Sequence, residues 1–257
     1  MTQRRRSQRQ QKRTRRHGGG IFTTNENSTY LYKNSSIEAI RIMPKTGSQD
    51  GIDYDIKNFG TGSETLDITL KPNETVHGAL GSLMYMNPNI TPKRVKEGSF
   101  GVYNSTMTYT NKRDRTLELG FIPRLSGYTI EAFHIPKGRS LIIRGDAYIA
   151  STPGIKEADN WGLDDSINLR QAISPKTDSI LWIGALGGIR PITIPAGETY
   201  IVNKKILVAH ERYIESKKTT HKGLGRSGIL GGEGRIVLLQ NRSAIPQTVY
   251  IQTAISS

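Results

Sequence analysis

Residues 135–155 read IPKGRSLIIRGDAYIASTPGI, and two other segments follow the same plan. They are LKPNETVHGALGSLMYMNPNI at 70–90 and IPAGETYIVNKKILVAHERYI at 194–214. Each starts with an apolar residue and a proline, runs through a polar turn into alternating residues, and closes on isoleucine. Because proline fixes φ and lacks an N–H, it suits a strand entry better than the middle of a ladder. The shared length and ends predict three internal repeats.

Alternation of apolar and polar residues dominates from Gly51 onwards, as in half-buried strands. Examples are ETLDITL (64–70), SLIIRGDAYIA (140–150) and RIVLLQ (235–240). No long segment has the 3.6-residue period of an amphipathic helix. We therefore predict an all-β core, with residues 51–257 forming one domain of three pseudo-repeats around a pseudo-threefold arrangement.

Several ordered motifs of this core resemble those of a known family. GIDYDIKNFGTGSETLDITLKPNETVHGALGSLMYMNPNI (51–90) is similar to the family's opening, and AYIASTPGI (147–155) to its central element. GLGRSGILGGEGRIVLLQ (223–240) and TVYIQT (248–253) are similar to its closing motif. The family is that of the mitochondrial biogenesis proteins named for altered inheritance of mitochondria. Its fold is similar to that of the tryptophan RNA-binding attenuation protein.

The resemblance implies a fold of the double-stranded β-helix or β-sandwich type, and a homo-oligomer with a trimer as the first expectation. It implies no activity, because a fold does not determine a function. Two features depart from the family pattern. The closing Ser-Gly-Glu-Gly is replaced by GGEG at 231–234, and the Arg-rich N-terminus is not a family feature. An Arg-rich tail that ends in three glycines resembles proteins of large DNA viruses.

Positive charge is concentrated at the N-terminus of the 257-residue chain. The formal net charge is +14, and residues 1–17 hold seven arginines and one lysine without any acid. Residues 2–17 include no apolar side chain, so folding would bury nothing to offset its entropy cost. We predict a disordered tail over residues 1–20 with Gly18–Gly20 as a joint, followed by a linker or peripheral extension over 21–50.

The tail is predicted to contact a polyanion, either nucleic acid or an anionic surface, or to be read as a nuclear-import signal. A solubilising tail without a partner is the alternative. Arginine suits phosphate geometry, and the absence of aromatic residues argues against base stacking. The predicted phosphate contacts are Arg4, Arg5, Arg6, Arg9, Lys12, Arg13, Arg15 and Arg16.

The glycines at 223, 225 and 228 match G-x-G-x-x-G, the pattern that holds a dinucleotide pyrophosphate in many enzymes. That fingerprint requires a preceding strand, a following helix and an acid about 20 residues later. Here the upstream stretch ERYIESKKTTHK is charged, RIVLLQ is strand-like, and no acid follows Glu233. We interpret the glycines as a turn, and we predict no nucleotide cofactor.

The remaining candidates for chemistry are weak. The chain has no cysteine, which excludes disulfides, thiolate metal sites and cysteine nucleophiles. His77, His134 and His210 occupy different positions in the three repeats, so they predict no metal site. Glu74 and Glu198 are equivalent, but Arg139 replaces the acid in the middle repeat. The acidic stretch EADNWGLDD (157–165) is predicted to be a solvated loop, and docking of the tail is its alternative.

Targeting signals are also absent from the sequence pattern. There is no apolar run that could span a bilayer and no apolar core of a secretory signal. A mitochondrial transit peptide needs an apolar helix face, which the tail lacks. The expected location is therefore the cytoplasm, the nucleus or a virion.

Together these features predict a non-enzymatic, oligomeric β-scaffold that presents a cationic arm to nucleic acid or another polyanion. The alternative is a structural organiser of a membrane or virion assembly, with the tail as a targeting or packing element. A third hypothesis is an enzyme with an unrecognised carboxylate site, which would require perturbed carboxylates in a concave pocket.

Overall fold

The computed structural model describes residues 38–60, 62–96, 105–158, 169–173, 176–219 and 236–255. The chain divides into residues 1–36, which lie outside this description, and Ile37–Ser257, which contains every described strand. The predicted disorder of the tail thus falls outside the described residues.

The described residues form β-strands joined by turns and loops, with one 3-10 helix at Lys204–Ile206. The first nine strands are β1 (Arg41–Ile42), β2 (Thr46–Gln49), β3 (Ile52–Asn58), β4 (Glu64–Leu70), β5 (Thr75–Ala79), β6 (Leu83–Met86), β7 (Ile90–Lys96), β8 (Ser105–Asn111) and β9 (Leu117–Phe121). The next six are β10 (Tyr128–Ile135), β11 (Ser140–Arg144), β12 (Tyr148–Ser151), β13 (Lys156–Ala158), β14 (Leu169–Ile173) and β15 (Ser179–Leu186). The last six are β16 (Ile189–Ile194), β17 (Thr199–Asn203), β18 (Leu207–Glu211), β19 (Ile214–Thr219), β20 (Ile236–Asn241) and β21 (Gln247–Gln252). The predicted all-β class is confirmed.

Four antiparallel sheets contain these strands. Their strand orders are β1-β10-β15-β12-β5-β8-β7, β13-β14-β11-β18-β21-β16, β2-β3-β4-β9-β6 and β17-β20-β19. Strands β1 and β2 fall within the predicted linker or peripheral extension, and each ends a sheet. Neighbours in a sheet are often far apart in the chain, so the topology depends on long-range pairing.

Strands β4 to β21 form three consecutive sets of six, β4–β9, β10–β15 and β16–β21, with one pairing scheme. In every set the first and third strands pair with the sixth, and the second and fourth strands pair with the fifth. The sets coincide in position with the three predicted repeats, although the sequence repeat itself stays a prediction.

The described residues contain three apolar core clusters that follow one another along the chain. Strand β15 belongs to two of them, because Ile180 and Trp182 point into the first cluster while Leu181 and Ile183 point into the second. Its sequence SILWIGAL is therefore an almost continuous apolar run rather than an alternating one. Trp182 packs edge-on against Tyr54, with ring centroids 5.4 Å apart.

Two buried asparagines hold the proline turns of the first and third sets. Asn111 Nδ2 lies 2.9 Å from Leu70 O, and Asn241 Nδ2 lies 2.9 Å from Ile194 O. Each Oδ1 accepts a backbone N–H two residues later, at Arg113 or Ser243. In the second set, Asp178 Oδ1 instead accepts the backbone N–H of Lys137 at 2.8 Å. These side chains supply partners for turn groups that the strand ladders leave unpaired.

Candidate functional site: two unpaired strand edges

Neighbouring sets are joined by strand pairing at two places. Strand β5 of the first set pairs with β12 of the second, and β11 of the second set pairs with β18 of the third. We call these pairings the closed junctions. In each, the second strand of one set lies antiparallel to the third strand of the next, so two half-sheets merge into one long sheet.

The third set has no such pairing among the described residues. Its second strand, β17, ends a three-stranded sheet, and β6, the third strand of the first set, ends a five-stranded sheet. In each merged sheet, the first, sixth and third strands of one set lie beside the second, fifth and fourth strands of another. The order β4-β9-β6 corresponds to the former half, and β17-β20-β19 corresponds to the latter half. We call the free sides of β6 and β17 the open edges.

Burial follows this difference. Every residue of β12 and β18 is buried, whereas β6 and β17 contain no fully buried residue. Ile201 of β17 is 51% exposed and Tyr85 of β6 is 40% exposed, and Met84 and Tyr200 are exposed as well. An apolar strand that lies at the centre of a sheet in one set is thus solvent-exposed in another.

A bulge lies at the same place in all three third strands. The register against the sixth strand shifts between Leu83 and Tyr85 in β6, between Tyr148 and Ala150 in β12, and between Leu207 and Ala209 in β18. Tyr85, Ala150 and Ala209 are therefore equivalent. This equivalence allows the open edges to be compared with the closed junctions residue by residue.

At the bulge, the third strand and its partner on the sixth strand carry one large and one small side chain, and the open edge reverses which strand carries the large one. At the closed junctions Ala150 lies opposite Trp182 and Ala209 opposite Tyr250. At the open edge Tyr85 lies opposite Gly120, and a Cβ on that glycine would overlap the tyrosine ring. Burial and the nearby Asp67 carboxylate raise the pKa of Tyr85 to about 12, so the hydroxyl is neutral at physiological pH.

A buried ion pair fixes the second closed junction. Arg139 Nη2 donates to Glu211 Oε1 at 2.6 Å, and the two side chains are only 10% and 7% exposed. The other carboxylate oxygen accepts the backbone N–H of Thr248 at 2.7 Å. Arg139 closes the turn before β11, while Glu211 ends β18. At the open edges the equivalent turn residue is the exposed Glu198.

Most of the residues to which the sequence assigns a function lie outside the part of the chain that the structure describes. The eight cations lie outside the described residues, as do the glycines at 223, 225 and 228 and the acidic stretch from residue 159 on. Those cations are Arg4, Arg5, Arg6, Arg9, Lys12, Arg13, Arg15 and Arg16. The assignment of phosphate contacts to them stays a prediction.

The three histidines occupy different environments. His77 pairs across strands with Ser151, and His210 is fully buried, with Nδ1 2.9 Å from Glu211 O. Burial lowers the pKa of His210 to about 4, so the ring is neutral. His134 is buried between two exposed carboxylates, with Nδ1 3.8 Å from Glu38 and Nε2 3.5 Å from Asp178.

The group Glu38, His134 and Asp178 has ligand atoms within 4.8 Å of one another, so its size would suit a metal ion. The carboxylates approach opposite nitrogens of the ring, and one ring cannot offer both to one ion. Arg41 also lies 3.2 Å from Glu38. An ion pair of Arg41 with Glu38, beside a histidine that lies near both carboxylates, describes these contacts better than a metal centre. Sequence reasoning missed it because the β10–β15 register brings Asp178 beside His134.

A second cluster of charged side chains lies between β4 and β10, with Glu64 buried and Glu131 partly buried. Lys45 Nζ is 3.0 Å from Glu64 and 3.3 Å from Glu131, and Glu64 also accepts the Ile130 N–H at 2.6 Å. Burial raises the pKa of Glu131, and Lys45 opposes that shift. The lysine and a backbone donor occupy these oxygens, as in a structural ion network.

Among the described residues no helix is long and apolar enough to cross a bilayer.

No curated protein matches the chain. The fold is similar to the X-ray crystal structure of protein SPYM3_0169 from Streptococcus pyogenes, with a TM-score of 0.60 and 18% identity over 79% of this chain and 94% of that one. The family model for mitochondrial biogenesis AIM24 matches residues 56–254. The chain therefore belongs to the mitochondrial biogenesis AIM24 family.

Proposed function

We propose that the chain is a non-enzymatic β-scaffold that self-associates and presents its N-terminal arm to nucleic acid or another polyanion. The observation that carries the proposal is the pair of open edges, since an exposed apolar edge strand is a template for pairing with another chain. A trimer remains the first expectation for the number of copies, and the cytoplasm, the nucleus or a virion for the location.

Self-association would increase the affinity of the arms for a polyanion. Eight cations on one arm bind phosphates without reading the sequence, and each neutralised phosphate releases counterions. Several arms on one assembly then act on the same polyanion at a high effective concentration, which raises avidity without new contacts. The predicted coil of about twenty residues would reach roughly 25 Å on average.

The test is binding to a generic DNA duplex and to a single strand across a salt series. The matched variant keeps the chain length and replaces the seven tail arginines and Lys12 with glutamine. Full-length protein should bind with a log–log slope no steeper than about −7 per arm on duplex, and the glutamine variant should lose binding. Equal binding by both proteins, or none near physiological salt, would overturn the proposal.

The alternative, a structural organiser of a membrane or virion assembly, is favoured by one observation. Leu80, which precedes β6, is exposed like Met84 within the strand, so the apolar surface extends beyond the edge strand itself. In that case the scaffold and not the arm would make the decisive contact. Glutamine replacement of the tail would then alter targeting or packing, whereas the scaffold's own contact with the assembly would persist.

A further inference from the structure

We infer that β17 of one copy pairs antiparallel with β6 of a second copy, and so forms a third junction between chains. This inference rests on the self-association in the proposed function and names its interface. The resulting sheet would run β2-β3-β4-β9-β6 and then β17-β20-β19 of the neighbour. That order has the same halves as the two merged sheets within the chain.

The first argument is register. At the closed junctions Gly78 lies opposite Ala150, and Ile143 lies opposite Ala209. Gly78 and Ile143 are each the fourth residue of their strand, and the fourth residue of β17 is Val202. The bulges make Tyr85 equivalent to the two alanines, so Val202 faces Tyr85.

The neighbouring pair extends the same register. His77 lies opposite Ser151 and Ile142 opposite His210 at the closed junctions. Those are the third residues of β5 and β11, so Ile201 of β17 faces Met86 of β6. Two apolar cross-strand pairs then lie side by side, each of a kind that stabilises sheets. Both closed junctions independently lead to this single alignment.

The second argument is how the sheets end. Natural edge strands avoid pairing through charges, prolines or short polar sequences. Six of the eight terminal strands follow that rule, namely β1 (RI), β2 (TGSQ), β7 (ITPKRVK), β13 (KEA), β16 (IRPITI) and β19 (IESKKT). Strands β6 (LMYM) and β17 (TYIVN) have neither charge nor proline and are largely apolar. Among the described strands, the two unprotected edges are the two that the pairing scheme leaves without a partner.

The third argument identifies the occupant as a second copy. Within one chain β6 and β17 are both exposed and are not paired to each other. One chain carries both a free third strand, β6, and a free second strand, β17, so a second copy of the chain supplies the strand that each edge lacks. Because the contact joins two different edges, it is head-to-tail, and repetition produces a ring if the rotation closes.

The experiment is disulfide cross-linking between introduced cysteines, which is specific because the chain has no cysteine of its own. Ile201→Cys and Met86→Cys proteins are purified separately, mixed and oxidised, and the Val202→Cys and Tyr85→Cys pair is treated alike. Two adjacent pairs are tested because antiparallel partners alternate between wide and narrow spacing. The control mixes Ile201→Cys with Leu125→Cys, a residue that is 45% exposed and outside both strands.

One of the mixtures should form disulfide dimers at least about tenfold faster than the control, because paired strands hold the thiols at a high effective concentration. A rate no higher than the control in both mixtures would overturn the inference. A chain with both Ile201→Cys and Met86→Cys gives the other decisive result. If it forms only an intrachain disulfide, the junction closes within one chain.

A second measurement is the mass of the assembly after a charged residue is introduced into the open edge of β17. Ile201→Lys should shift the mass in light scattering from the assembly to the monomer, whereas Leu125→Lys should leave it unchanged. An unchanged urea midpoint shows that the lysine variant is folded, and an unchanged mass would overturn the inference. Salt-dependent DNA binding is read separately. If it persists without cross-linking, this interface is wrong and the arm proposal stands.

Discussion

The second closed junction and the open edges are built from equivalent strands, yet they differ in what surrounds them. At the closed junction β11 and β18 are paired, β18 is fully buried, and Arg139 and Glu211 form an ion pair. At the open edges β17 and β6 present uncharged, mostly apolar strands to solvent. The comparison shows that a strand's burial is set by its partner and not by its own sequence.

The largest effect is expected from breaking the buried ion pair. Arg139→Ala leaves the Glu211 carboxylate buried without a cation, which typically costs about 3–5 kcal/mol of unfolding free energy. Lys217→Ala is the matched control, because its pair with Glu215 is exposed and is worth at most about 1 kcal/mol. Urea denaturation measures both, and similar losses in the two variants would show that the ion pair does not hold the junction.

A pH effect of intermediate size is expected from His210, which lies in β18 at the same junction. Its pKa of about 4 in the folded protein is below the usual value of about 6.5. Between these pH values the unfolded chain binds a proton that the folded chain does not. The free energy of unfolding therefore falls as pH drops from about 6.5 to about 4, by up to about 1.4 kcal/mol per pH unit.

The variant His210→Met tests this pH effect directly. It introduces the side chain that β6 has at the equivalent position, Met86, and removes the titrating group. Urea denaturation at a series of pH values should show a shallower acid loss for the variant than for the unaltered chain. Parallel curves would mean that another group causes the acid sensitivity.

The strands themselves could largely be predicted from sequence. The pattern ETLDITL coincides with β4, and SLIIRGDAYIA became β11 and β12 around a turn at residues 145–147. Alternation of apolar and polar residues and the presence of turn residues are local signals, so they can be recognised in one sequence without knowledge of the fold. The equivalent asparagines at 111 and 241 could also have been found, since each ends a strand at the same point in its segment.

The open edges could not be predicted in this way. LMYM and TYIVN are as apolar as the buried third and second strands, so composition alone does not separate an edge from a core strand. Pairing of β5 with β12 joins residues more than 70 positions apart, and only the fold reveals which edge lacks a partner. The His134 cluster was missed for the same reason, because its members come from three distant segments.

The smallest effect is expected from glycines that lie at or beside the two kinds of junction. Gly78 in β5 pairs with Ala150, and an added Cβ would lie 2.5 Å from Cε1 of the buried Phe121. Gly78→Ala should therefore cost about 1–3 kcal/mol. Gly120→Ala also overlaps a ring, that of Tyr85, but this side chain is half-exposed and can rotate outward. Its cost in urea should stay below about 1 kcal/mol.

The same pair of variants separates folding from association. Displacing Tyr85 disturbs the surface of β6 that a neighbouring β17 would cover, whereas Gly78→Ala acts inside a junction that is already closed. Gly120→Ala should therefore lower the assembly mass at dilute concentration while leaving the urea midpoint nearly intact, and Gly78→Ala should do the reverse. If Gly120→Ala changes neither quantity, β6 is not a surface that associates.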